Sequence, residues 1–295
     1  MKYSMKTDEW VIGIDIGGSH ITAGLISITG RTVANDYFIR RPVNPHADAE
    51  EIFTNWCDVI QKLWNESGIE KCKLGFAMPG PFDYENGICL IRGFDKYESL
   101  YGVDVRAALA EKLNIAGNDI AFRNDAEAFL EGEIFCGAAV GYEHVIGITL
   151  GTGLGSALSH HGITRDAALS ILEYKGEKIE ECVSTRGMVR TYQTITGNTV
   201  KDVIAIAELY DTDPNAVKTF KIFSEDLSWF LDYFIKKETP EMLVVGGNIA
   251  NSWNLFMNDV IQHLLSSLPH LPKIVKATLG ENAGLIGGAC KTLTI

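Results

Sequence analysis

VIGIDIGGSH, residues 11–20, returns in outline as VIGITLGTGL, residues 145–154. Val11-Ile12-Gly13-Ile14 and Val145-Ile146-Gly147-Ile148 are identical, and Gly17 falls opposite Gly151. Each copy is an apolar run closing on glycines, the pattern of a buried strand that enters a tight turn. The copies differ where chemistry could begin: Asp15 stands where the second copy has Thr149. A repeated strand and turn suggests a duplicated unit. A ten-residue stretch with this much apolar and glycine matching can also arise by chance.

A strand that ends in glycines lets backbone approach a ligand with no Cβ in the way, and its free N–H groups can face phosphate oxygens. Gly17, Gly18 and Ser19 offer such a turn in the first copy. Asp15 just before it is placed to hold Mg2+, directly or through water, because magnesium takes carboxylates and keeps several waters. In the second copy the Thr149 and Thr152 hydroxyls join Gly151 and Gly153, an uncharged set suited to phosphate oxygens. The alternative is that these glycines only make hairpins. Neither loop has the form G-x-x-x-x-G-K-[ST], nor G-x-G-x-x-G before a helix, since each turns back into a strand.

Around the two copies the pattern is α/β. Strands are expected at 10–16, 20–28, 31–39 and 71–78, with Gly30 giving the turn between the second and third its positive φ. A helix fits 48–66, where Ile52, Trp56, Val59, Ile60 and Leu63 recur at helical spacing. Helix 103–113, strand 119–124 and an acid-led helix from Asp125 follow. Later come strands at 143–150 and 154–160, a helix over 215–236, a strand at 241–247 running into Gly246-Gly247-Asn248, a helix at 252–267, a strand near 273–278 and a helix at 281–293. No linker separates the halves. Two domains are expected, 1–121 plus 281–295 and 122–280, with the chain crossing near 121–126 and 278–281.

The chain has 295 residues, 46% hydrophobic, enough for a large core, and a net charge of −12, which does not favour nucleic acid or an anionic membrane surface. No apolar run reaches the ~18 residues of a membrane helix, and none precedes the first strand as a signal peptide would. The six cysteines are scattered with no C-x-x-C pair. They read as small buried hydrophobes of a reducing cytoplasm. His160 and His161, adjacent on a strand, are expected to point to opposite faces. Arg186 and Arg190, one helical turn apart, are expected to form salt bridges or dimer contacts.

Taken in order, GIDIGGSHITAGLI, GFAMPGPFD, RNDAEAFLEGE, GITLGTGLGSAL, LVVGGNIA and LGENAGLIGGA make the chain resemble the ROK family of sugar kinases, within the actin/hexokinase/Hsp70 superfamily. The resemblance spans nearly the whole chain. It implies an α/β, two-lobed actin-like ATPase (ribonuclease H-like) fold with a duplicated mixed sheet and an interlobe cleft. It implies ATP as co-substrate with Mg2+, a hexose phosphorylated at its 6-hydroxyl, above all glucose, and a cytoplasmic homodimer. The same resemblance assigns Asp125 as the base that accepts the hydroxyl proton. It gives Pro79, Gly80, Asn124, Asp125, Glu173 and Glu180 to the sugar. Gly17, Gly18, Ser19, Thr149, Gly151, Thr152, Gly153, Gly246, Gly247 and Asn248 go to ATP.

Departures from the family pattern fall in SILEYKGEKIEECVSTRGMVR. Family members carry E-x-G-H and then a zinc site of the form C-x-C-G-x-x-G-C-x-E, whereas this stretch has one cysteine and no histidine. No zinc of that type is expected, because Cys182 alone cannot make a tetrahedral site. Local alternatives stay open: Asn124 and Asp125 also suit helix capping, and EYKGEKIEE also suits a solvated turn. An N-acetylhexosamine kinase, a non-catalytic sugar sensor and a sugar-independent ATPase remain the competing functions.

Overall fold

The computed structural model describes residues 9–69 and 71–294. It divides into two compact units, one taking the chain through Val140 together with the segment from Glu281, the other Gly141–Gly280.

In the first unit, strands β1 (Trp10–Ile16), β2 (His20–Ser27) and β3 (Thr32–Pro42) form an antiparallel meander. Helix α1 (Ala49–Ser67) returns the chain to β4 (Lys73–Met78), parallel to β1. A two-residue ladder, β5 (Phe82–Asp83) with β6 (Ile88–Cys89), and helix α2 (Val105–Leu113) precede β7 (Ile120–Asn124), which lies parallel to β4. Helix α3 (Asp125–Cys136) closes this stretch, and the sheet order is β3-β2-β1-β4-β7.

The second unit repeats the plan. Strands β8 (His144–Leu150), β9 (Leu154–His160) and β10 (Ile163–Asp166) form the meander. A short β11 (Glu173–Tyr174) and β12 (Glu177–Lys178) hairpin follows, then helices α4 (Thr185–Thr196), α5 (Val203–Glu208) and α6 (Pro214–Glu238). Strand β13 (Met242–Gly246), helix α7 (Met257–Ser267) and β14 (Lys273–Lys276) complete the order β10-β9-β8-β13-β14. The chain then re-enters the first unit as α8 (Asn282–Cys290). Five strands in the same order and sense recur twice over, which extends the duplication that the short sequence repeat only suggests.

Strand alternation explains how β1 serves two layers. Ile12, Ile14 and Ile16 join α1 residues Ile52, Trp56, Val59 and Leu63 in one apolar core. The other face carries Gly13, which pairs Gly24 and Gly75, with Ala121 beyond. This small-residue row lets α8 rest on the sheet: a Cβ on Gly13 would stand 2.1 Å from the Leu285 carbonyl oxygen, and one on Gly75 2.1 Å from that of Gly288. Likewise Gly287 of α8 meets the Ala128 backbone of α3. In the second unit, Ile146, Ile148 and Leu150 pack with Phe220, Phe223, Leu227, Phe230, Leu231 and Phe234 of α6, which covers the helix expected over 215–236.

Some expectations shift. The boundary expected at 121/122 falls inside the first unit, because β7 is hydrogen-bonded to β4 and α3 packs on α8. Arg31, not Gly30, takes the positive φ (50°) in the β2–β3 turn. The glycine there makes room for Ser27, whose Oγ accepts from the Gly30 N–H at 2.8 Å. His160 and His161 do not diverge: their rings lie 4.5 Å apart, because β9 ends at His160 and His161 turns left-handed (φ 49°). Residues 248–255 form 3-10 turns, and α7 begins only at Met257. Strand β10 and helix α5 have no counterpart among the expected elements, and α4 holds Arg186 and Arg190, which the sequence places one helical turn apart.

Candidate active site

In each unit the expected site residues other than Glu173 and Glu180 lie at or just beyond the carboxyl ends of parallel strands, the edge where open α/β sheets bind ligands. Asp15 lies on β1 in register with Ala77 of β4, which pairs Arg123 of β7. The segments that follow, Gly17-Gly18-Ser19, Pro79-Gly80 and Asn124-Asp125, therefore emerge side by side. In the second unit Thr149 of β8 is in register with Gly246 of β13, so the Gly151–Gly153 turn adjoins Gly246-Gly247-Asn248.

The glycines separate into two kinds. Gly247 sits at φ 86°, and a Cβ there would strike the Leu150 backbone, so the fold itself demands glycine. Gly153 makes room for Glu180, whose Oε2 would lie 2.4 Å from an added Cβ. Gly18 and Gly151 have neither a left-handed φ nor any neighbour within 4 Å of an added Cβ. Hairpin geometry does not require glycine at those two places, and the room they leave is open to a ligand's close approach. Gly18→Ala is thus expected to leave the melting temperature unchanged or slightly raised. Gly13→Ala, which drives a methyl into α8, should cost about 1–3 kcal/mol or more in thermal or denaturant melts.

Asp15 faces α8, where a Cβ on Gly284 would stand 3.5 Å from its Cγ. Enclosure by protein, and next the like charge of Asp125, push the Asp15 carboxyl up to about 7; Arg40 opposes this and Glu281 adds to it. Arg40 of β3 is itself ion-paired with Glu281 at the start of α8. The turn beyond Asp15 is tied down by Gly17 N–H to the His20 carbonyl (2.9 Å), Val43 N–H to the Ser19 carbonyl (2.9 Å) and the Tyr97 hydroxyl to the Gly17 carbonyl (2.6 Å).

Of the two residues that the sequence leaves open to helix capping, Asn124 makes the cap. Asn124 is buried and caps α3, its Oδ1 accepting from Ala126 N–H at 2.9 Å and Glu127 N–H at 3.3 Å. Its Nδ2 donates to the Tyr84 hydroxyl (3.1 Å), which donates in turn to the Met78 carbonyl (3.1 Å). This chain joins the β7–α3 junction to the Pro79-Gly80 loop, where Pro79 is buried and Gly80 partly exposed. Asp125 is exposed, the first residue of α3, with Oδ1 accepting from its neighbour Ala126 N–H at 2.8 Å. Beneath it, buried Arg123 pairs with Glu127 and Glu131 at 3.1 Å each and locks α3 to β7.

Glu180 is less free than the sequence suggests. Its Oε2 accepts from Leu154 N–H at 3.2 Å, and its Oε1 lies 3.4 Å from Arg186. Thr185 N–H reaches the Gly151 carbonyl at 2.8 Å, so the segment after β12 is bolted to the glycine turn. Glu173 is exposed on the β11–β12 hairpin. That hairpin is held by Lys175 and the Tyr174 hydroxyl on buried Asp226, at 2.6 and 2.9 Å, and by Arg190 on Glu177 at 2.6 Å. The Cys182 thiol donates to Glu177 (3.4 Å), and among the described residues no group of three His, Cys, Asp or Glu is arranged to hold a metal ion. Tyr97, Tyr84, Arg40 and Arg123 were not singled out from sequence, because their contacts join positions far apart in the chain or lie within a buried cluster.

The chain aligns along nearly its whole length with glucokinase of Thermotoga maritima, at 24% identity over 95% of this chain and 96% of that one. An N-acetyl-D-glucosamine kinase of Photobacterium profundum aligns at 28% identity over 94% and 97% of the two chains. The crystal structure of a ROK family glucokinase from Streptomyces griseus, in complex with glucose and AMPPNP, superposes with a TM-score of 0.78 at 22% identity, covering 95% of this chain and 98% of that one. The fold is accordingly that of the actin-like ATPase kinases. The family model described as "ROK family" matches residues 11–166 and 174–293, and the chain belongs to the ROK family.

Proposed function

We propose that this protein is an ATP-dependent sugar kinase, transferring the γ-phosphoryl group to the 6-hydroxyl of a hexose, with glucose the first substrate to test. The observation that carries it is an exposed Asp125 at a strand-to-helix junction, in the same unit as a glycine turn that the fold alone does not require to be glycine. Phosphoryl transfer needs positioning, charge neutralisation and a base for the acceptor hydroxyl. Asp125 supplies the base. Asn124 holds the junction while its second Nδ2 hydrogen remains to donate to a sugar hydroxyl. Pro79-Gly80, Glu173 and the remaining lone pairs of Glu180 complete the sugar set. Thr149, Thr152 and the backbone of Gly17-Gly18-Ser19, Gly151-Gly153 and Gly246-Gly247-Asn248 receive ATP.

Asp15 fits a magnesium ion: it is a hard oxygen donor whose ionisation the surroundings disfavour until a cation balances it. Bound directly or through water, Mg2+ supplies neutralisation of phosphate charge. A site with a single carboxylate agrees with an ion that draws its other ligands from water and phosphate. No helix of the described residues is long and apolar enough to cross a membrane. The reading carries with it a homodimer in the cytoplasm, the first part of which light scattering tests.

The deciding experiment supplies purified protein with Mg·ATP and glucose, mannose, fructose, allose, N-acetylglucosamine or N-acetylmannosamine, and measures ADP. Sugar-dependent ADP supports the reading. No ADP with any of them, alongside sugar-induced thermal stabilisation, marks a non-catalytic sensor, and ADP release indifferent to sugar marks an ATPase. The second reading, an N-acetylhexosamine kinase, is favoured by the 28% likeness to an N-acetyl-D-glucosamine kinase. A higher kcat/KM for an N-acetylated sugar than for glucose would establish it.

A further inference from the structure

Tyr97 is fully buried, and the proposed chemistry gives it no part. Its backbone is left-handed (φ 54°), its N–H donates to the Pro45 carbonyl at 2.7 Å, and its ring meets Trp56 edge-on at 5.9 Å between centroids. All of this directs the hydroxyl to one acceptor, the Gly17 carbonyl oxygen, at 2.6 Å. Burial, and then the Asp15 charge, raise the Tyr97 phenol above its ordinary range, so it stays a proton donor.

The peptide linking Gly17 to Gly18 is planar and trans, so the Gly17 carbonyl and the Gly18 N–H point in opposite directions. A carbonyl held inward by Tyr97 therefore turns the Gly18 N–H outward. Outward is open space: Gly18 is exposed, nothing lies within 4 Å of a Cβ built on it, and no hydrogen bond among the described residues engages its N–H. The second unit uses the same device at the equivalent place. There the Gly151 carbonyl is held by Thr185 N–H at 2.8 Å, which turns the N–H of exposed Thr152 outward. One turn is pinned by a backbone donor and the other by a side chain 80 residues away in sequence.

We infer that Tyr97 is a positioning residue for the nucleotide, fixing the Gly17–Gly18 peptide so that the Gly18 N–H faces a phosphate oxygen. The inference rests on the nucleotide-binding part of the function proposed above. It also ties the loop after β6 to the phosphate turn, so displacement of that loop would unsettle the turn.

Tyr97→Phe removes the hydroxyl and keeps the ring in its core. The exposed Tyr101→Phe serves as control. The expected result is a Kd for Mg·AMPPNP and a KM for ATP raised about tenfold, the scale of one well-placed hydrogen bond, with the sugar KM within twofold of wild type. A merely structural role would move both KM values and the melting temperature together, and that outcome overturns the inference, as does an unchanged AMPPNP affinity. Wild type that binds Mg·AMPPNP but phosphorylates no sugar sinks the kinase reading, while the AMPPNP measurement still judges Tyr97. Wild type that binds no nucleotide overturns both.

Discussion

Asp125→Asn is expected to lower kcat by about 10²–10⁴-fold, the range of a lost general base, while sugar affinity changes by less than about threefold. The reason for such a clean split is where the residue sits. Asp125 is exposed at the start of α3, so losing its charge disturbs no core. The helix cap is made by Asn124, not Asp125, and Arg123 anchors α3 through Glu127 and Glu131. An asparagine at 125 can still accept from Ala126 N–H through its Oδ1, leaving the local backbone as it was. Steady-state ADP release and calorimetric sugar binding on the same preparation would check this. Turnover within tenfold of wild type would remove Asp125 from the role of base. A parallel loss of sugar binding and melting temperature would recast it as a structural residue.

Asp15→Asn should act in two opposite directions. Turnover with Mg·ATP is expected to fall at least 10²-fold, since the proposed cation would lose its carboxylate. The free protein, by contrast, should become more stable at alkaline pH. Folding raises the Asp15 pKa from 3.8 to about 7, so between those values the folded state holds a proton that the unfolded chain has released. Stability therefore falls as pH rises through that window, and the penalty is complete above about 7. Asparagine escapes it. The variant should melt a few degrees higher than wild type at pH 8 and no higher at pH 4. Adding Mg2+ with a nucleotide at pH 8 should stabilise the wild type far more than the variant. Melts at both pH values decide the matter, and equal melting temperatures at pH 8 would show that Asp15 is not strained by its surroundings.

The α/β pattern of strands and turns was legible because it depends on local facts, while the two-lobed fold class came from the family resemblance that the six motifs carry. Ile12, Ile14 and Ile16 alternate as a strand must, and the glycines after them mark a turn whatever lies elsewhere. Asp15 and the two glycine turns stood out as candidates for the same reason, whereas Asp125, Pro79-Gly80, Glu173 and Glu180 were assigned through the resemblance. The twofold plan was only suggested by the sequence, since one matching ten-residue stretch does not specify five strands in the order β3-β2-β1-β4-β7 and again β10-β9-β8-β13-β14.

What stayed hidden was everything that depends on distant partners. Asn124-Asp125 reads identically as cap or as catalyst, and only the placement of Oδ1 on Ala126 and Glu127 N–H assigns the cap to one residue and leaves the other exposed. Glu180 reads from sequence as a sugar contact or as part of a solvated turn, and only the fold shows Leu154 N–H on its Oε2. Gly18 and Gly247 look alike as letters, yet one leaves open space and the other avoids the Leu150 backbone. Sequence by itself determined which residue types stand at the strand ends, because strand and turn propensities act over a handful of residues. Tertiary structure alone decided which of those residues are engaged inside the chain and which stay exposed, because hydrogen bonds and desolvation depend on neighbours in space. Tyr97 reaching back to Gly17 is the plainest instance.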